Sequence, residues 1–202
     1  MNKCYLVGAG DFYGTPVPND GDFVIAADGG YNHLISHGVR CDLLIGDLDS
    51  LIGDAPDIEI IRHPIKKDET DMFLAYLEGA KRGYTDFEIY GATGGRPDHT
   101  MASYSLLLYA RERGHNAVIY DKSYCARVIK NESITLLCDS GKTLSVLAFG
   151  ADAHGVSIIG AEYEARGVDL SMSFPLGVSN SFKDGEVTLT VKDGALLIIW
   201  EF

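Results

Sequence analysis

"LLIGDLDS", residues 43–50, opens as an interior strand and closes on acid. Leu43, Leu44 and Ile45 are apolar without alternation, the pattern of a strand covered on both faces. Asp47 and Asp49 then follow Gly46, two residues apart. Two carboxylates at the mouth of a buried strand suit an open α/β sheet, because such sheets bind ligands beyond the carboxyl ends of their strands.

Working outward, similar runs occur at 3–8, 23–27, 58–61, 87–90 and 117–120. Between them, Met72, Phe73, Tyr76, Leu77 and Ala80 follow helical spacing, as do Met101, Tyr104, Leu107, Leu108 and Arg111 on a longer helix ending before Gly114. Strands alternating with helices predict a mostly parallel, Rossmann-like sheet. After about residue 125 the texture changes. SITLL, KTLSVLAF, GVSIIG, EVTLTV and ALLIIW are rich in β-branched residues and carry no helical period. Asp139-Ser140-Gly141, Asp184-Gly185 and Asp193-Gly194 between them read as hairpin signals. The expectation is an all-β sandwich over 126–202 after an α/β domain over 1–125, with the boundary between 121 and 131. The apolar run 196–200 reads as a strand buried on both faces.

Composition narrows the function. The chain has 202 residues, 46% apolar and 23% charged, enough for a substantial core. Its net charge of -12 disfavours nucleic acid and anionic membrane as partners. Cys4, Cys41, Cys125 and Cys138 form no C-x-x-C pair, which argues against a zinc site. No run has the length of a membrane span, and the start, MNKCYLVGAGDFYG, lacks a signal-peptide core; a cytoplasmic location is expected.

The acids recur at other strand and helix ends. "ADGG" places Asp28 before Gly29 and Gly30, which are read as allowing a tight turn close to a ligand. "KKDETD", 66–71, opens a helix with Asp68 and Asp71 at N-cap and N3 spacing. "GATGGRPDH", 91–99, links a strand to the long helix; its glycines, Arg96 and the helix N-terminus suit phosphate oxygens, and Asp98 adds an acid. Each stretch alone is an ordinary turn or cap. As a set, the carboxylates would repel one another without a hard cation, and Mg²⁺ with a polyphosphate resolves that. His99 is read as a packing or backbone-bonding residue, and the other histidines stand in no catalytic pattern.

ADGG, GDLDS, KDETD and GATGGRPDH in this order, with "GVSNSF" at 177–182, resemble thiamine pyrophosphokinases over nearly the whole chain. The resemblance implies an N-terminal α/β domain, a C-terminal β-sandwich and a homodimer. It implies transfer of pyrophosphate from ATP to thiamine, releasing AMP. It places metal and catalytic roles on Asp47, Asp49 and Asp71, with Asp98 as a further catalytic acid. Asp28, Gly29, Gly30, Asp68, Thr93, Gly94, Gly95 and Arg96 would face nucleotide or phosphate. Ser179 and Asn180 would face thiamine, although without the family SNSF reads as a turn. Lys67 stands where some relatives have glutamine, and its contact is open. The alternatives are another Mg²⁺-dependent pyrophosphotransferase or pyrophosphohydrolase acting on a related alcohol, and a non-catalytic nucleotide- or thiamine-binding regulator.

Overall fold

The computed structural model describes residues 2–48, 57–63 and 68–202, and the chain divides into two compact units. Residues 1–106 with 114–122 form the first, and 107–113 with 123–202 the second. Asp49 and Lys67 lie outside the described residues.

The first unit contains β1 (Cys4–Val7), β2 (Phe23–Ala27), β3 (Leu43–Gly46), β4 (Glu59–Arg62), β5 (Asp86–Tyr90) and β6 (Asn116–Tyr120). Their order is β6-β5-β1-β2-β3-β4, and all five pairings are parallel. Cys4, Leu6, Ile25, Leu43, Ile45 and Ile89 are sealed from solvent, as a sheet covered on both faces requires. The helices are α1 (Gly30–Ser36), α2 (Asp71–Lys81) and α3 (Pro97–Glu112). α1 has no counterpart in the sequence reading, since its seven residues GYNHLIS show too little periodicity.

The chain leaves β1 in one direction across the sheet to β2, β3 and β4, then returns to β1's other side as β5 and β6. Strand order therefore reverses between β1 and β5, where the loops diverge and leave a crevice at the carboxyl ends.

The second unit holds two antiparallel four-stranded sets. One is β12-β9-β14-β7, from β7 (Tyr124–Lys130), β9 (Thr143–Ala148), β12 (Asn180–Ser181) and β14 (Ala195–Glu201). The other is β11-β10-β13-β8, from β8 (Ser133–Leu137), β10 (Ala153–Ile159), β11 (Ala165–Leu170) and β13 (Glu186–Thr190). Ile129, Leu144, Val146, Leu196 and Ile198 from the first set share one core with Val156, Ile158, Val187 and Leu189 from the second. β14 is central to its sheet; Ala195 through Ile198 are buried, and Ile199 and Trp200 are half-buried. The three expected hairpin turns do not join paired strands. Residues 139–141, 184–185 and 193–194 each link a strand of one sheet to a strand of the other. Their Asp and Gly residues supply a sharp reversal, which serves a sheet-to-sheet crossing as well as a hairpin.

Candidate active site

A cleft of about 300 Å³ opens in the first unit at the point where strand order reverses. Gly8, Ala9 and Gly10 line it after β1, Ala27 and Asp28 at the end of β2, and residues 91–96 after β5. Thr70, Asp71 and Met72 enter from the start of α2, and His99 and Ser103 from α3.

Backbone contacts build the floor. The amides of Gly8 and Gly10 donate to the carbonyls of Tyr90 and Gly91, and that of Asp11 to Thr93, each at 2.8 Å. Gly91, Gly94 and Gly95 adopt φ of +61°, +77° and +58°, the left-handed region that glycine enters freely. A Cβ on Gly91 would collide with the Gly8 carbonyl, so the two loops meet backbone to backbone. The sequence reading missed the 8–10 wall; its signal was Gly8-Ala9-Gly10 directly after a strand.

Asp28 sits at φ +49° and donates its amide to the Ile45 carbonyl at 2.7 Å, tying the ends of β2 and β3 together. The expected roles within ADGG are thus reversed: the acid takes the left-handed turn, which Asp tolerates better than most residues, while Gly29 is helical. Gly30 is needed for space, because a Cβ there would collide with the Val7 carbonyl. Oδ1 of Asp28 is buried with no hydrogen-bond partner among the described residues. A buried carboxylate oxygen without a donor is costly, and a cation is one group that would satisfy it.

Among the described residues, four non-glycine residues have positive φ: Asp28, Leu48, Asn131 and Ser179. Three of them fall in ADGG, GDLDS and SNSF, the stretches singled out by sequence, consistent with strain kept where a site needs it.

Asp71 lines the cleft as the first residue of α2. The cap is Thr70, whose hydroxyl accepts from the Phe73 amide at 3.2 Å. Asp68 is therefore not the N-cap and Asp71 not N3; Asp68 is exposed and does not line the cleft. Asp47 is half-buried just past β3. Among the described residues no three acid, cysteine or histidine side chains are grouped to hold a metal ion.

Arg96 and Asp98 form an exposed ion pair, with Nη2 to Oδ2 at 2.6 Å and Nε to Oδ1 at 3.2 Å. The Arg96 hydrogen bond holds the Asp98 carboxyl below its ordinary range, and Asp98 raises Arg96 in turn. Arg96 lines the cleft and Asp98 does not. Thr93 is buried and donates its hydroxyl to Asp121 at 2.8 Å. His99, read as a packing or backbone-bonding residue, is an exposed part of the cleft wall.

In the second unit, Ser179 is exposed and its amide donates to Ser145 Oγ at 3.3 Å. Asn180 is buried and clamps backbone. Its Oδ1 accepts from the amides of Tyr163 and Ser181, both at 2.9 Å, and its Nδ2 donates to the Tyr163 carbonyl at 2.8 Å. The preceding loop holds exposed Phe174, Leu176 and Val178. Gly177 pins that loop to β9: its carbonyl accepts from the Val146 amide at 2.8 Å, and a Cβ would strike the Val146 carbonyl.

A glycine-walled cleft at the reversal point of a parallel sheet, in a chain that also carries an antiparallel sandwich, defines a two-part α/β–β ligand-binding protein. Comparison with known proteins narrows that class. Residues 17–119 match the family model "Thiamin pyrophosphokinase, catalytic domain" and residues 129–196 "Thiamin pyrophosphokinase, vitamin B1 binding domain". The chain belongs to the thiamine pyrophosphokinase family, a family of enzymes. It is 24% identical over 184 residues to a thiamine pyrophosphokinase of Bacillus subtilis, covering 87% of this chain and 85% of that protein. The crystal structure of a thiamine pyrophosphokinase from the same species superposes with a TM-score of 0.90, at 21% identity and 99% coverage of both chains. That from Geobacillus thermodenitrificans gives 0.86 at 23% identity, covering 99% of this chain and 97% of the other. The yeast enzyme gives 0.79 at 16% identity, with 99% and 86% coverage. Likeness at such identities speaks for the fold.

Proposed function

We propose that this chain transfers pyrophosphate from MgATP to the hydroxyl of thiamine, giving thiamine diphosphate and AMP. The observation that carries the reading is the cleft, where a left-handed glycine turn faces the start of α2 beside Asp28, whose Oδ1 is buried without a partner among the described residues. We assign 1–125 to nucleotide and metal, with its sheet working in the Rossmann-like manner, and 126–202 to thiamine and dimerisation.

The protein's task in such a transfer is alignment and charge neutralisation. The amides and glycines of 91–96 would receive phosphate oxygens, and Arg96 would exchange Asp98 for the terminal phosphate. Asp47, Asp49 and Asp71 would hold Mg²⁺, with Asp28 at the same mouth; when bound, the ion neutralises phosphate charge. Gly29, Gly30 and Asp68 would face the nucleotide, Gly30 by letting α1 pass close to β1. The thiazolium of thiamine is cationic, so an acidic cleft favours it. Ser179 and Asn180 would orient it, Asn180 through the backbone that it clamps.

We also propose a homodimer, supported by the pinned apolar loop that presents Phe174, Leu176 and Val178. No described helix is long and apolar enough to cross a membrane, and Cys4, Cys41 and Cys138 are free thiols. Free thiols support a cytoplasmic location.

The test is purified protein with thiamine and ATP labelled at the β-phosphorus. The label should appear in thiamine diphosphate, with AMP in equal amount. Label retained in a nucleotide product would refute pyrophosphate transfer, and AMP formed without thiamine diphosphate would indicate a pyrophosphohydrolase.

A further inference from the structure

We infer that Asp121 is a positioning residue of the nucleotide site, holding the 91–96 turn in its phosphate-receiving shape through the Thr93 hydroxyl. The inference rests on the cleft being the nucleotide site. Asp121 follows β6 directly, and the sequence reading gave it no role. Its Oδ2 accepts from Thr93 Oγ1 at 2.8 Å, and its Oδ1 accepts from the Lys122 amide at 2.6 Å, which fixes the carboxylate's orientation. It is not part of the cleft lining, so it acts through Thr93, which is.

The turn needs such a pin. Gly91, Gly94 and Gly95 lie in the left-handed region, and a segment with three glycines has much conformational freedom to lose when a ligand orders it. Backbone bonds from Gly10 to Gly91 and from Asp11 to Thr93 hold the side facing β1. The Thr93–Asp121 bond adds a side-chain pin from β6. Thr93 is only 5% exposed, so water would replace a lost bond poorly. Tyr104 is near enough that Asp121's charge adds to burial in raising its phenol. A carboxylate near bound phosphate weakens its attraction by charge, so the contribution expected of Asp121 is geometric.

Holding and charge make opposite predictions. Asp121→Ala removes the pin and should weaken binding about tenfold, the scale of one lost hydrogen bond. Asp121→Asn can accept from the Lys122 amide and donate to the Thr93 hydroxyl, so it should stay within about threefold of wild type. Thr93→Val should match Asp121→Ala, and the double variant should lose no more than either single change, because all three remove the same bond.

The measurement is calorimetric titration with the magnesium complex of α,β-methylene ATP, at a temperature where each variant remains folded. It is paired with steady-state kinetics, in which the KM for ATP should rise while that for thiamine holds. If Asp121→Ala does not fold, Thr93→Val against Thr93→Ser makes the same comparison. Wild-type affinity in Asp121→Ala and Thr93→Val, additive losses in the double variant, or binding by Asp121→Asn more than about threefold tighter than wild type overturns the inference alone. Failure of the wild-type protein to bind the analogue overturns the nucleotide reading and the inference with it.

Discussion

Asp28 carries two burdens: a left-handed backbone and a buried carboxylate oxygen without a donor. Asparagine tolerates the same φ, so Asp28→Asn should fold. Its neutral amide also replaces a half-buried carboxylate, so the thermal midpoint of the metal-free protein should hold or rise. If the carboxylate serves the transfer, turnover should fall on the order of a hundredfold. Activity within a few-fold of wild type would remove Asp28 from the machinery. Asn180 presents the opposite case. Three hydrogen bonds commit its side chain to the backbone of Tyr163 and Ser181. Asn180→Ala would remove these three bonds from the Tyr163 and Ser181 backbone, costing about 1–3 kcal/mol, measurable by urea unfolding. A stability unchanged within error would mean that the clamp holds little. The acid of ADGG and the asparagine of SNSF were legible as residue types. Their φ angle and partners were not, because both depend on segments distant in the chain: β3 for Asp28, and Tyr163 for Asn180.

Gly30 shows how an element's placement can hang on one missing atom. α1 runs so close to β1 that a Cβ at this position would enter the Val7 carbonyl, and backbone cannot move aside cheaply. Gly30→Ala should destabilise the first unit by about 2 kcal/mol or more, as overpacking does, despite the better helix propensity of alanine. An increase in the thermal midpoint would show that α1 can shift outward. The longer elements were readable because periodicity is local: strands 23–27 and 133–137 and the helical stretches around Tyr76 and Leu107 were anticipated within a few residues. α1 is seven residues long and β12 only two, too short to carry a period. The order of the strands was illegible for another reason. An Asp-Gly turn states that the chain reverses, not which sheet receives the next strand, and 184–185 and 193–194 both lead across the sandwich. The cap of α2 was misplaced because Asp68 and Thr70 are both good caps, and only the extended backbone of Thr70 decides between them.

The whole molecule should have a stability plateau bounded by different chemistry at each end. Burial raises Cys41 to about 11 and pushes Cys4 and Tyr90 further, with Tyr5, Tyr31, Tyr84 and Tyr104 moved the same way. The unfolded chain would release these protons first, from about pH 8.5 for thiols and about 10 for phenols, so stability falls as pH rises through that range. At the acid end, burial raises Asp22 and Glu78, but hydrogen bonds from Lys3 and Asn19, and from Lys81 and Arg82, outweigh it and hold both low. Their contribution is present above about pH 4 and is lost as pH falls below it. The thermal midpoint should therefore be highest between roughly pH 5 and 8 and decline on either side; a rise from pH 8 to 10 would contradict the burial of these groups. Assembly is the remaining property at this scale. Phe174, Leu176 and Val178 are 65%, 63% and 48% exposed on a loop held against β9 by Gly177. A loop so fixed cannot fold its apolar side chains inward, and their exposure is costly unless another surface covers them. A second copy as the covering surface predicts a dimer by sedimentation at micromolar concentration. Phe174→Asp with Leu176→Asp should then give a monomer with unchanged circular dichroism, since neither side chain belongs to the sandwich core. A wild-type monomer would refute the dimer, whereas a double variant that still dimerises would place the interface on another face.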